Sequence, residues 1–558
     1  MTRRDFVRTG TVAGVSLLAG QPVWAVEPAR AEHVLRGALV FDGTGAAPVE
    51  ADVAMAGDRI VGVGRRLSAP GAREFDLRGL ALAPGFVDIH SHADLPLLVE
   101  PRAESRIRQG VTTEVVGQDG SSIGPWSEEE AGRRDEAFRE RYGVGLGFRD
   151  LAGFLDVLEA RGSAVNVATM VGQGTVRAFV VGEDDRPADE REIAAMRREI
   201  ATALRAGACG VSSGLEYPPG AFASTAEIAG VIEALARSRL PYASHMRNED
   251  DRLLSAIEEA INTGRMAGVP VQISHLKCQG ERNWWKLEPA LRTIAEARAG
   301  GADVMFDVYP YIAFSTGLAN LFPIAARDGG TEAFIGRLSN EGTRAELEIP
   351  VRDKIDQLGS WDSVQVTTTA SDALVWARGR RLGQLAQERG EDPYALLVRL
   401  IVEDRNRAGM VAFGMSEENV AAKLAHPLAI VCSDGGAFAP YGPLSDGVPH
   451  PRAYGAFPRV LGRFSRDLGA LPLEDAVHKM TQRPARRLRL AGRGVIAPDA
   501  FADLVAFDPD RVADRATFED PHRYPDGIPH VWVNGRHVIR EGEQTGELPG
   551  RPVRTAAE

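Results

Sequence analysis

The stretch Ala83-Pro84-Gly85-Phe86-Val87-Asp88-Ile89-His90-Ser91-His92 decides how the rest of the chain is read. An apolar run ends in two histidines two residues apart. Successive side chains on a strand face opposite sides, so His90 and His92 point the same way. Two imidazoles on one face at a strand end can share one metal ion. Asp88 falls on that face too and is placed to orient a ligand from behind. An edge strand with two solvated histidines would satisfy the same residues, so the reading turns on what the other strands carry.

Downstream, strand-like runs recur at Thr112–Gly117, Val165–Val171, Gly210–Leu215, Tyr242–His245, Val271–His275, Asp303–Tyr309 and Leu428–Cys432. Helical patterns lie between several of them, at Arg149–Arg161, Ala188–Ala206, Thr225–Ser238, Asp251–Ala267 and Leu287–Ala299. Together with the run at Phe86 these make eight β/α units. The pattern predicts an α/β fold with a (β/α)₈ barrel over residues 84–489. A doubly wound open sheet is the alternative, but its glycine-rich phosphate fingerprint is absent. Residues 312–427 are too many for one connection and read as an insertion with its own helices, placed as a lid over the barrel mouth. The segments 32–83 and 490–545 are short strands and turns, expected to build one small β-sandwich from both chain ends.

The chain has 558 residues, of which 44% are hydrophobic and 25% charged, as in ordinary globular proteins. Its 65 basic and 77 acidic residues leave a formal charge of −12, which argues against nucleic acid or an anionic membrane as the main partner. Cys209, Cys278 and Cys432 are far apart in apolar runs and read as buried thiols. At the N-terminus, Arg3-Arg4-Asp5-Phe6 precedes a modest apolar run from Gly10 to Gly20. Residues 1–31 are read as a twin-arginine export signal, which places the mature protein in the periplasm or outside the cell. No stretch of the mature chain is long and apolar enough to span a membrane.

In such a barrel, chemistry gathers at the C-terminal strand ends. There the chain carries His90 and His92, then Gln118-Asp119-Gly120, Glu216-Tyr217, His245, His275 with Lys277, Tyr309-Pro310-Tyr311, and Ser433-Asp434-Gly435. A histidine ending a strand is commonly just a hydrogen-bonded structural residue. Imidazoles and carboxylates crowded into one cavity are costly to desolvate unless a cation joins them. The nitrogen- and oxygen-rich set points to Zn²⁺ in an open, catalytic site.

These motifs resemble the amidohydrolase superfamily, and within it the N-acyl-D-amino-acid deacylases, or D-aminoacylases. The likeness covers nearly the whole mature chain. It rests on Gly85–His92, Gly110-Val111-Thr112-Thr113, Ser213-Gly214-Leu215, His245-Met246-Arg247, His275-Leu276-Lys277, Tyr309-Pro310-Tyr311, Ser433-Asp434-Gly435, Pro449-His450-Pro451-Arg452 and Ala502-Asp503-Leu504-Val505. The resemblance implies hydrolysis of an N-acyl-D-amino acid to a carboxylate and a free D-amino acid, with Asp434 as general base and acid. It implies one tightly held zinc on His245 and His275, and a second, weaker or vacant subsite on His90, His92 and Asp434. The family places a cysteine ligand just after the second strand, where this chain has Asp119; Asp119 and Glu216 are both candidates to replace it. Arg452 and Lys277 are expected to bind the substrate α-carboxylate with the help of one tyrosine, Tyr309 or Tyr311 to stabilise the tetrahedral oxyanion, and His450 to contact the substrate as well. Trp284, Trp285 and Phe314 are candidates for the acyl pocket or for packing alone.

A cyclic amidohydrolase of the dihydropyrimidinase or dihydroorotase kind is the competing activity. Such enzymes typically carry a carbamylated lysine near strand four, and Gly210–Tyr217 has no lysine. A dipeptidase or amidase acting on other carboxylate-bearing amides would use the same site. A binding protein on a decayed barrel is a third class, but decay should have removed a ligand or the acid–base group.

Overall fold

The computed structural model describes residues 31–555. The expected export signal therefore lies outside the described residues, apart from its last residue. Eight parallel strands run Phe86–Asp88, Val111–Val116, Asn166–Thr169 continued by Val171–Gly172, Val211–Gly214, Tyr242–His245, Val271–Ile273, Val304–Val308 and Ala429–Val431. Each pairs with the next in chain order. The third strand changes partner at Met170, from strand two to strand four. The ring closes at the functional end. Ser91 pairs in parallel with Gly435, His92 N–H donates to Gly435 O at 3.0 Å, and Asp434 N–H donates to His90 O at 2.9 Å. The (β/α)₈ reading holds, and the residues following strands one and eight are themselves the seam.

Nearly every residue of these strands is buried, on both faces, as an enclosed parallel sheet requires. Local signals set the helix ends. Asp189 and Glu192 make a capping box on Glu190–Ala206, and Gly207 ends that helix with φ 110°. Ser224 caps Thr225–Ile232, which passes into a 3-10 turn at Glu233–Leu235 before the expected end at Ser238.

Between strands seven and eight, Ala313–Gly317 and Val364–Thr368 flank Gly409–Phe413 in an antiparallel sheet. Helices Gly330–Ser339, Glu341–Leu358, Leu382–Arg389 and Pro393–Glu403 surround it. The next helix, Glu417–Ala425, packs on barrel strands seven and eight. It belongs to the barrel, so the insertion closes at Phe413 rather than at residue 427.

Strands from the two chain ends join in one nine-stranded sheet, hinged where Ala81–Pro84 pairs antiparallel with Leu504–Phe507. Leu35, Val53, Ile60, Leu82, Leu504 and Trp532 form its own small core. The hydrogen bonding is continuous across the whole sheet, where separate facing sheets were expected. After this sheet the tail returns to the barrel: Pro549 bridges to Ser163 and Pro552 to Val167, and Thr555 Oγ1 donates to Ala208 O at 2.7 Å. No helix among the described residues is long and apolar enough to cross a membrane.

Candidate active site

The strand ends open into a cavity of about 1060 Å³, lined on the barrel side by His92, Asp119, Glu216, His245, His275 and Asp434, and on the other by the insertion sheet. Asp119 reaches its centre through a tight turn after strand two. Gly120 there has φ 73°, and a Cβ on it would lie 2.6 Å from Gly214 N. A Cβ on Gly214 would lie 2.1 Å from Asp119 O. Only glycines allow this turn to press against the end of strand four.

The four histidines gather around Asp119. Its Oδ1 lies 3.4 Å from both His90 Nε2 and His275 Nε2, and its Oδ2 lies 3.6 Å from His92 Nε2 and 3.7 Å from His245 Nδ1. Asp434 Oδ1 is 3.0 Å from His92 Nε2 and 3.6 Å from His90 Nε2. Two donor groups have the spacing of a metal site: His90, Asp119, His275 and Asp434, and His245, Glu249 and His275. His245 and His275 fall in one group and His90 and Asp434 in the other, with His275 common to both. Glu216 reaches only His245, at 3.4 Å from Nε2, and joins neither group. His90 Nε2 and Asp119 Oδ1 are buried with no hydrogen-bond partner among the described residues. A divalent cation is the partner such atoms accept, so the donor set fits one.

Residues behind this set hold it in place. Asp307 Oδ1 lies 3.5 Å from His90 Nδ1 and accepts the His275 N–H at 2.7 Å. Asp88 instead holds backbone: it accepts the N–H groups of His90 at 3.3 Å and Ser433 at 3.0 Å. The carboxylate nearest His90 Nδ1 thus comes from strand seven, not from its own strand. Glu249, fully buried, accepts two bonds from Lys277 Nζ at 2.7 and 2.9 Å and one from Gln279 at 2.8 Å, and lies 3.1 Å from His275 Nδ1. Burial opposes ionisation of Glu249, but Lys277, His245 and His275 outweigh it and hold the carboxyl far below the usual range. For Asp434, too, burial works upward and is overcome, chiefly by Arg452 and then by His275 and His90. Glu249 and Asp307 were not singled out in the sequence. Glu249 follows His245 by four residues, but nothing in that spacing shows that it meets Lys277 from the next strand.

The substrate candidates separate in space. Arg452 lines the cavity, with Nη1 2.5 Å from Asp434 Oδ2. Lys277 also lines it, but its ammonium is held by Glu249 and lies 2.6 Å from His275 Nδ1. Like Arg452, it is already paired with a carboxylate in this structure. His450 uses both ring nitrogens, Nε2 donating to Ala313 O at 2.9 Å and Nδ1 accepting the Arg452 N–H at 2.9 Å. It ties the insertion to the Arg452 turn rather than offering a free group. Tyr309 is buried behind the lining, with the Arg452 guanidinium 4.8 Å from its ring centre and its hydroxyl unpartnered. Tyr311 is buried further back and donates to Pro451 O at 3.4 Å, a packing role. Phe314 lines the cavity, whereas Trp284 and Trp285 line a separate outer groove of about 560 Å³.

A profile for the amidohydrolase family matches residues 378–539. The D-aminoacylase of Alcaligenes xylosoxydans xylosoxydans is 38% identical over 94% of this chain and 98% of its own length. The N-acyl-D-aspartate deacylase of the same organism is 37% identical over 94% and 95%, and its N-acyl-D-glutamate deacylase 35% over 94% and 96%. Among solved structures, the N-acyl-D-glutamate deacylase of Bordetella bronchiseptica, complexed with zinc and a phosphonate mimic of the tetrahedral intermediate, is 33% identical with a TM-score of 0.79. That match covers 94% of this chain and all of the other. A dihydropyrimidinase from Brevibacillus agri, at 15% identity and a TM-score of 0.55, shares the fold alone. This chain belongs to the D-aminoacylase family of N-acyl-D-amino-acid deacylases, within the amidohydrolases.

Proposed function

We propose that the protein is a zinc-dependent deacylase that hydrolyses the amide bond of N-acyl-D-amino acids to a carboxylate and a free D-amino acid. The observation that carries this reading is Asp119 set among four imidazoles, with His90 Nε2 and Asp119 Oδ1 buried and unpartnered, at the mouth of a family barrel. His90, His92, Asp119, His245, His275 and Asp434 would hold the metal. The nitrogen and oxygen donors suit zinc, and a relative's structure contains it. When bound, a divalent ion supplies Lewis acidity toward the amide carbonyl and toward water.

The chain's own groups do the remaining work. Asp434 is ionised and so can take a proton from the attacking water, then pass it to the leaving nitrogen. Arg452 orients Asp434 through one N–H and has further donors in its fork for the substrate α-carboxylate. Glu249, held by Lys277, lies 3.1 Å from His275 Nδ1 and is placed to accept its N–H, which leaves Nε2 for the metal. His450 keeps the Arg452 turn against the insertion, so the carboxylate site is complete only with the insertion in place. Export by the twin-arginine route is part of the same proposal; its support is Arg3-Arg4 ahead of the run from Gly10 to Gly20.

The test is paired hydrolysis of N-acetyl-D- and N-acetyl-L-amino acids, with metal quantified before and after chelation. The D-series should be hydrolysed, and activity should vanish with the metal and return on zinc addition. In Asp434→Asn, turnover should fall by about 10²–10⁴-fold, the usual worth of a positioned acid–base group. Hydrolysis that survives complete metal removal, or that is confined to L-substrates, would overturn the reading.

A further inference from the structure

Overall identity does not separate relatives that act on acidic D-amino acids from the D-aminoacylase, since all three Alcaligenes proteins lie between 35% and 38%. The cavity wall does carry a distinction. The insertion supplies Ser315, Thr316, Asn320, Thr367, Thr368 and Arg407 to it. Most cations around the cavity already have carboxylate partners: Arg133 and Arg134 share Glu130, Lys277 has Glu249 and Arg452 has Asp434. Arg407 donates its Nε to Asp404 O at 3.1 Å, and no carboxylate among the described residues forms an ion pair with it.

Behind the same wall lies Arg327, only 9% exposed and likewise without an ion pair among the described residues. Its Nη1 donates to Asn320 Oδ1 at 3.1 Å and its Nη2 to the backbone oxygen of Glu216 at 2.9 Å; its Nε has no partner. The Glu216 carboxylate is the negative charge that acts most on it, yet that carboxylate is turned toward His245. A guanidinium has donors only, so Asn320 must offer its oxygen to Arg327. This fixes the amide orientation and leaves the Nδ2 donors with no protein partner among the described residues, on a side chain that lines the cavity. A buried cation held only by neutral oxygens is poorly compensated, and an anion near it would restore the balance.

We propose that Asn320, oriented by Arg327, and Arg407 together bind the side-chain carboxylate of the substrate, so that N-acyl-D-amino acids with acidic side chains are the preferred class. This rests on the deacylase reading above and assigns its substrate. The α-carboxylate goes to Arg452 on the barrel side, and the side-chain carboxylate goes to the insertion wall. Asn320 is half-buried and Arg407 exposed, so a side-chain carboxylate on that wall gains charge-assisted hydrogen bonds that an aliphatic or amide side chain does not make.

The experiment compares kcat/KM of the metal-loaded full chain for N-acetyl-D-glutamate, its neutral isostere N-acetyl-D-glutamine, and N-acetyl-D-methionine. The wild type should favour glutamate over glutamine by about tenfold or more. In Arg407→Gln, Asn320→Leu and Arg327→Met that ratio should fall by about tenfold. Should Arg327→Met fail to fold, the other two variants carry the test. A wild-type ratio at or below one, with methionine hydrolysed well, overturns this proposal and leaves the deacylase reading standing. Equal losses on all three substrates in the variants also overturn it. Failure to hydrolyse any of the three overturns the deacylase reading, and this proposal with it.

Discussion

Asp119 shows how much depends on single residues held in unusual backbone. Its φ is 53°, and His275 and Asp434 also have positive values, 32° and 52°. Each such non-glycine conformation costs on the order of 1–3 kcal/mol and persists only where its surroundings impose it. The impositions are visible: Ser212 Oγ accepts the Gly120 N–H, Asp307 accepts that of His275, and His90 O accepts that of Asp434. The sequence marked both Asp119 and Glu216 for the place of the family cysteine and left them equal, because the distance from either to the histidines is a property of the folded loops. Asp119 reaches four imidazoles and Glu216 one. Asp119→Ala should therefore lower bound metal, read by elemental analysis of the purified protein, while Glu216→Ala retains it. The reverse pattern would move the ligand to Glu216.

At the scale of elements, the barrel seam is locked by a charge network with no solvent contact. Arg106, in the short helix Glu104–Ile107, reaches Asp88 on strand one, Glu114 on strand two, Ser433 after strand eight and the backbone oxygen of Ala453 beside Arg452. Burial pushes Asp88 up to about 6 despite the arginine. Breaking such a buried set is costly because it strands a charge. None of this was legible in the sequence, where Arg106 is one of many arginines and Asp88 reads only as a residue placed to orient a ligand from behind. The terminal sheet carries a titratable element of its own. His537 stacks on Trp532 and lies 3.2 Å from His530 Nδ1, and burial, then His530 and nearby arginines, hold its pKa down at about 3. The folded state keeps His537 neutral, whereas the unfolded chain takes up a proton near pH 6.5. Its contribution is thus full above that pH and is lost progressively as pH falls toward 3. Thermal midpoints should drop between pH 7 and pH 5, and the drop should be shallower in His537→Gln. An equal drop in both proteins would remove His537 as the cause.

Across the whole molecule, the two chain ends are interlocked. Strand His33–Val40 pairs with Ala81–Pro84, which pairs with Leu504–Phe507, and the tail then returns to Ser163 and Val167. Strand Ala81–Pro84 cannot pair with Leu504–Phe507 until residues beyond 500 have been made. An export route that carries folded protein suits such a topology, as it suits a metal site assembled from strands one to eight. Replacing Arg3 and Arg4 with lysine should leave the protein in the cytoplasm, as read by cell fractionation. Unchanged appearance outside the cytoplasm would overturn the assignment.

Hydrophobic periodicity and the polar residues at strand ends determined the barrel, the strand order and most of the candidate metal donors, because these are local patterns repeated along the chain. They placed His90, His92, His245, His275 and Asp434 correctly at one end. Only the tertiary structure decided which carboxylate stands among the imidazoles, that Lys277 is already paired with Glu249, and that Tyr311 and His450 brace the Arg452 turn. It alone placed Asn320, Arg327 and Arg407 on one wall. Hydrogen bonds and ion pairs between distant loops depend on where folded elements end in space, and no spacing along the chain encodes that.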